Sequence, residues 1–77
     1  MSATAETTPA ILTGANVRAE MARRGVSQVA LAEHMGKTQA AISARILGRV
    51  PFDINELTAV AAYLEVPITA LLPSAAA

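Results

Sequence analysis

A chain of 77 residues has room for one small domain, and the absence of cysteine excludes a disulfide or a thiolate zinc site as support for its core. The formal net charge is zero, and no uninterrupted apolar run approaches the roughly 20 residues that a membrane helix needs. Residues 1–8 lack the basic start and apolar run of a signal peptide, so we expect a soluble, cytoplasmic protein.

The first twelve residues, MSATAETTPAIL, are small and polar and include a proline, and helical periodicity begins only at their end. They predict a disordered arm over residues 1–12, which has no Lys or Arg with which to bind phosphate. The domain is expected over residues 13–73, and residues 74–77 are expected to form a flexible tail.

The first helix is predicted to run from Thr13 to Arg24. Thr13 can serve as its N-cap, and Val17 and Met21 lie four residues apart on one face. Gly25 then ends the helix. A second, short helix follows from residue 28 to residue 35, where the apolar positions again share one face.

Gly36 supplies the left-handed turn between this second helix and a third one. Thr38 can cap the third helix, which is predicted from Gln39 to about Leu47, with Ile42 directed inward. Its exposed positions carry only small or hydrogen-bonding side chains: Gln39, Ala40, Ser43 and Ala44. Such a smooth face can approach another molecule closely.

Two further helices are predicted near the end of the chain. Asp53 and Glu56 form a capping box for the fourth helix, and Phe52 can pack on Leu57 as a hydrophobic staple. The last helix is predicted over Ile68 to Leu72. The expected fold is therefore an all-α domain of five helices.

The stretch QVALAEHMGKTQAAISARILG, residues 28–48, resembles the helix-turn-helix of the lambda-type repressor and Cro family. The residues that carry the resemblance are Gln28, Leu31, Ala32, Gly36, Thr38, Gln39, Ile42 and Gly48. The segment PFDINELTAVAAYLEVPITALL resembles the fourth and fifth helices of that family, and only the first dozen residues lie outside the resemblance. It implies a lambda-repressor-like domain that binds operator DNA.

The distribution of charge is compatible with a DNA ligand despite the neutral total. All the basic residues lie between residues 13 and 50, where only Glu20 and Glu33 oppose them, which leaves an excess of four positive charges. A domain with its charges divided in this way can orient itself on DNA. The alternative is that these are ordinary solvated surface charges. The basic residues are Arg18, Arg23, Arg24, Lys37, Arg45 and Arg49.

The third helix is the candidate recognition helix, whose first residues would meet base edges in a major groove. A glutamine can bind adenine with two hydrogen bonds, and an alanine can pack on a thymine methyl group. The predicted base contacts are therefore Gln39, Ala40, Ser43 and Ala44. The same residue types are also common on exposed helices that bind nothing.

The predicted phosphate contacts surround this helix, and they are Gln28, Lys37, Thr38, Arg45 and Arg49. The resemblance also implies that Gln28 braces Gln39, and it allows a phosphate contact from Arg18 or Arg24. Many relatives carry an apolar residue where Arg45 stands and a polar one where Ile46 stands. Either the last turn is wound differently, or Ile46 fills the core while Arg45 reaches phosphate; we prefer the second, because Ile42 and Ile46 lie four residues apart.

The resemblance further implies a homodimer on a roughly palindromic operator, with Ile68, Leu71 and Leu72 in the dimer contact. The expected function is a transcriptional regulator, most simply a repressor of phage or mobile-element type. The alternative is an antitoxin or antirepressor that uses the same fold to bind another protein. We expect no catalysis, because the chain has one isolated histidine, no glycine-rich phosphate loop and no carboxylate cluster. We also expect no metal, cofactor or small-molecule ligand.

Overall fold

A computed structural model describes residues 7–74 of the chain, and all the regular structure in this part is helical. The elements are α1 (Pro9–Arg24), α2 (Gln28–Met35), α3 (Gln39–Ile46), α4 (Ile54–Leu64) and a 3-10 turn (Ile68–Ala70). The predicted all-α class is confirmed, but the described residues hold four α-helices rather than five. None of these helices is long and apolar enough to cross a bilayer.

The first helix begins one turn earlier than the sequence pattern predicts. The hydroxyl of Thr8 accepts a hydrogen bond from the Ile11 N–H at 3.1 Å, and Pro9 occupies the first helical position. Proline is favoured there because the N–H group of the first helical residue has no acceptor within the helix. Its absence in proline therefore costs no hydrogen bond. Thr13, the predicted N-cap, is instead buried inside α1.

The predicted disordered arm over residues 1–12 is therefore wrong for residues 9–12, which are helical. Residues 1–6 of that arm lie outside the described residues. Residues 75–77 of the predicted flexible tail also lie outside them.

The predicted fifth helix over residues 68–72 is a single 3-10 turn. The N–H groups of Ala70 and Leu71 donate to carbonyls three residues back, those of Pro67 and Ile68, both at 2.9 Å. The carbonyls of Leu71 and Leu72 are engaged instead by the Asn16 amide of α1, at 3.3 and 3.1 Å. A segment between two prolines is too short to begin an α-helix of its own.

The core is formed where α3 packs against both α1 and α2, and α4 closes the same two helices from another side. Ile42, Val17 and Val60 are fully buried there, each from a different helix. The other apolar residues of the core are Met21, Leu31, Ala32, Ile46, Phe52, Leu57, Ala61, Leu64 and Leu71.

Gly14 allows α1 to cross the end of α3 at close range. A methyl group at this position would lie 2.8 Å from the carbonyl oxygen of Arg45 and closer still to that of Ile46. Both neighbours are backbone atoms, so neither can move aside as a flexible side chain could. The glycine therefore fixes how near the candidate recognition helix lies to α1.

We predict that Gly14→Ala destabilises the domain by about 1–3 kcal/mol, although alanine in a helix normally stabilises by up to about 1 kcal/mol relative to glycine. Urea unfolding followed by circular dichroism measures the change. Ala15→Gly, at the neighbouring exposed position, gives the effect of helix propensity alone. A Gly14→Ala variant as stable as the parent chain would contradict the close crossing.

Candidate nucleic-acid interface

The turn between α2 and α3 is short and closed by hydrogen bonds. Gly36 adopts φ 66° and ψ 32°, a left-handed conformation that glycine reaches without strain, and it ends α2. The Lys37 N–H donates to the Ala32 carbonyl at 2.9 Å, and the Thr38 hydroxyl accepts from the Ala41 N–H at 3.1 Å. Two residues thus separate Gly36 from the first residue of α3.

The outer face of α3 is exposed, as predicted, only in its first turn. Gln39 and Ala40 are exposed, and Ser43 and Ala44 are half-buried one turn later. Within residues 7–74, the side chains of Gln39 and Ser43 make no hydrogen bond, so both are available to another molecule. Gln28, at the start of α2, is half-buried, and the predicted hydrogen bond to Gln39 is not formed in this structure.

The end of α3 resolves the register alternatives. Ile46 is 5% exposed and lies in the core, which confirms that it fills the inward position. Arg45, however, does not extend into solvent. Its Nε donates to Glu56 Oε1 at 3.1 Å, and its Nη1 donates to the Ala41 carbonyl at 3.0 Å, which leaves the side chain 18% exposed.

Glu56 of α4 is the centre of this part of the molecule. Its Oε1 accepts from Arg45 and from the Asp53 N–H at 3.0 Å, while its Oε2 lies 3.0 Å from Lys37 Nζ. We refer to Glu56, Arg45, Lys37 and the Asp53 N–H as the Glu56 clamp. The capping box at Asp53 is confirmed, but the same carboxylate also binds two residues predicted to contact phosphate.

The clamp keeps Glu56 ionised well below neutral pH. Burial of its side chain, which is 11% exposed, raises the pKa of the carboxyl. The hydrogen bonds from Arg45, from the Asp53 backbone and from Lys37 outweigh that effect and lower the pKa from the ordinary 4.5 to about 2. The clamp is therefore an ion-paired network at physiological pH.

Ion pairs divide the basic residues into two groups. Arg23 and Arg24 both bind Glu20 within α1, at 2.8 and 2.5 Å, and Lys37 and Arg45 bind Glu56. Arg18 and Arg49 are exposed and have no ion pair within residues 7–74. Each carboxylate offsets only one of its two cations, so both ion-paired groups keep one positive charge, while no carboxylate within residues 7–74 offsets Arg18 or Arg49.

The predicted dimer residues differ in their accessibility. Leu71 is fully buried in the core of its own chain, and Ile68 is partly buried against that core. Leu72 is 37% exposed, and it borders an open groove together with Leu12 and Asn16 of α1. Of the three, only Leu72 is therefore exposed at the surface of the domain.

The contact between His34 and Tyr63 has no local signature in the sequence. Their rings stack with centroids 4.1 Å apart and planes inclined by 21°, so the end of α2 packs against α4 at the surface. His34 is exposed. The stacked pair therefore holds the end of α2 against α4, and His34 borders the same surface pocket as Lys37 and Glu56 of the clamp.

Comparison with known proteins agrees with this geometry. A sequence model described as helix-turn-helix matches residues 17–71. No curated protein matches the chain by sequence.

Several solved structures have a similar fold. The clp gene regulator ClgR from C. glutamicum is similar with a TM-score of 0.80 and 24% identity, over 86% of each chain. The BldD DNA-binding domain from S. venezulae is similar with a TM-score of 0.75 and 23% identity, over 87% of this chain and all of that one. Hydroxypropylphosphonic acid epoxidase from S. wedmorenis is similar with a TM-score of 0.79 and 22% identity, over 87% of this chain but only 36% of the enzyme. Identities this low establish the shared fold alone.

We predict that acid weakens the domain through Glu56. Because its pKa is lower in the folded chain than 4.5, its stabilising contribution is complete above pH 4.5 and is lost as the pH falls through about 2. In Glu56→Gln this part of the pH dependence should be absent, and stability at neutral pH should fall by about 1–3 kcal/mol.

Urea unfolding at a series of pH values measures both effects. Glu65→Gln makes the same charge change at an exposed site outside the clamp and serves as the control. An equally steep loss of stability in acid for Glu56→Gln would assign the effect to other carboxylates.

Proposed function

The chain belongs to the helix-turn-helix family whose sequence model matches residues 17–71, and from this we propose that it is a sequence-specific DNA-binding regulator of transcription. A repressor of the Cro or immunity-repressor type is the simplest form of that function. The observation that carries the proposal is the outer face of α3, where exposed Gln39 follows a closed turn and has no intramolecular hydrogen bond within residues 7–74. Two of the similar structures, ClgR and BldD, are a gene regulator and a DNA-binding domain.

Base reading is assigned to the first two turns of α3. Gln39 can hydrogen-bond an adenine edge, and Ala40 can pack on a thymine methyl group. Ser43 and Ala44 continue the same face with small side chains, so α3 can enter a major groove without steric conflict. Each good pair of hydrogen bonds to one base is worth about 1–3 kcal/mol of discrimination.

We assign contacts with the DNA phosphates to the residues around that face. Arg49 is the most available of them, because it is exposed and has no ion pair within residues 7–74. Lys37 and Arg45 stand at the two ends of α3 and retain N–H donors beyond those used in the Glu56 clamp. Thr38 and Gln28 can supply neutral donors to phosphate.

A homodimer would place two recognition helices about 34 Å apart, in successive major grooves of a roughly palindromic operator. Leu72 is the predicted dimer residue with the most exposed side chain, and Ile68 lies beside it with partial burial. Leu71 contributes by holding this segment on the core rather than by direct contact.

The second candidate is a protein-binding module of antitoxin or antirepressor type. It is favoured by the zero net charge and by the ion pairs that engage four of the six basic residues. Catalysis is not proposed, because the likeness to the epoxidase is confined to about a third of that enzyme's chain.

Salt dependence separates the two candidates. A regulator should bind the DNA upstream of its own gene in a gel-shift assay at low salt, and binding should weaken steeply as salt displaces the protein from phosphate. No complex at low salt with any duplex would favour the protein-binding module.

We predict that Gln39→Ala loses preference for the favoured duplex, by about 1–3 kcal/mol, while it retains the weak affinity for unrelated DNA. Fluorescence anisotropy with both duplexes measures this. Asn55→Ala removes an exposed amide from α4 rather than α3 and should leave the preference unchanged. Equal loss on all sequences would show that Gln39 only supports the helix.

For Arg49→Ala, affinity should fall for every duplex, and the slope of log K against log salt should become shallower by about one, because one phosphate contact is lost. Arg23→Ala is the matched control, since Arg23 is exposed on α1 and bound to Glu20. An unchanged slope would make Arg49 an ordinary surface charge.

A further inference from the structure

Glu56 lies on α4, outside the helix-turn-helix, yet its carboxylate holds the two cationic groups that flank α3. Lys37 approaches it from the α2–α3 turn and Arg45 from the last turn of α3. The capping box alone requires only the bond from the Asp53 N–H. The two additional ion pairs therefore connect α4 to the surface that the proposed function places against DNA.

The clamp leaves both cations able to bind a second anion. Arg45 has five N–H donors, of which the Nε and one Nη1 hydrogen are engaged, and its side chain is 18% exposed. Lys37 has three donors and a side chain that is 28% exposed. Glu56 holds both groups beside α3, so their remaining donors stay close to this helix.

Releasing either cation from the clamp is unfavourable. Glu56 is 11% exposed, so a departing partner leaves a largely buried carboxylate with fewer hydrogen bonds. Arg45 would also give up its bond to the Ala41 carbonyl. A phosphate must therefore come to these groups where they stand, rather than draw them out to itself.

We propose that Glu56 is a positioning residue that withholds Lys37 and Arg45 from unrelated DNA and presents them to phosphate only when α3 is seated on its preferred sequence. This inference rests on the proposed DNA-binding function. The single carboxylate lowers the charge of the two cations together from two to one, which weakens their share of the sequence-independent attraction, because that attraction depends on counterion release. The base contacts of α3 therefore decide whether the remaining donors of the clamp reach the DNA backbone.

Glu56→Gln tests this proposal, with Glu65→Gln as the control for net charge. Binding to a preferred and to an unrelated duplex is measured by anisotropy over a range of salt concentrations, at a temperature where circular dichroism shows each variant folded. For Glu56→Gln on unrelated DNA, the salt slope should steepen by about one and affinity should rise roughly eightfold at 0.1 M salt, as for one added phosphate contact. Preference for the favoured duplex should fall accordingly.

The effect should act through the clamped cations. In the double variant Glu56→Gln with Arg45→Ala, the steeper slope should be reduced or lost. Glu65→Gln should leave the slope at the wild-type value. A purely structural role for Glu56 would lower affinity for both duplexes in proportion to the unfolded fraction, and that result would overturn the proposal.

A second comparison needs no change at Glu56. On unrelated DNA, Arg45→Ala should alter the salt slope much less than Arg49→Ala, because Arg45 is held by the clamp and Arg49 is not. Equal changes would overturn the inference while leaving the proposed function intact. Absence of wild-type binding to any duplex at low salt would overturn both.

Discussion

The carboxylate of Glu56 joins the three pieces on which the arrangement of α3 depends. It caps α4 through the Asp53 N–H, fixes the α2–α3 turn through Lys37 and fixes the end of α3 through Arg45. An isolated helix of eight residues is unstable in water, so α3 requires such tertiary contacts. Ile42 and Ile46 anchor its inner face in the core, and the clamp anchors its end from the side.

Local signals in the sequence predicted most of the fold. The caps at Thr38 and Asp53 and the left-handed turn at Gly36 were predictable, because each depends on residues within one helical turn. The start of α1 differs from the prediction, because Thr8 followed by Pro9 is also a capping signal and competes with Thr13. The last segment also differs from the prediction, because the carbonyls of Leu71 and Leu72 accept hydrogen bonds from Asn16 of α1, a contact with no local signature.

The faces of the recognition helix could be predicted from the sequence, but the ion pairs of its basic residues could not. The four-residue spacing of Ile42 and Ile46 in α3 predicted the buried face of this helix, and Gln39 and Ala40 are exposed as predicted. The partner of Arg45 was not predictable, because Glu56 lies eleven residues further along the chain and already had a role in the capping box. Glu56 consequently offsets one of the four excess positive charges that the residue count gave for residues 13–50. Since similar folds occur in regulators and within an epoxidase, the fold alone does not decide the function.

Selection of bound sequences from a pool of random duplexes at low salt tests DNA recognition most directly. If α3 reads base edges, successive rounds should converge on a shared short sequence. A dimer would give two related copies of it with centres about 34 Å apart, one helical turn of DNA. A pool that remains as diverse as the input after repeated rounds, with the protein folded throughout, would contradict sequence-specific DNA binding.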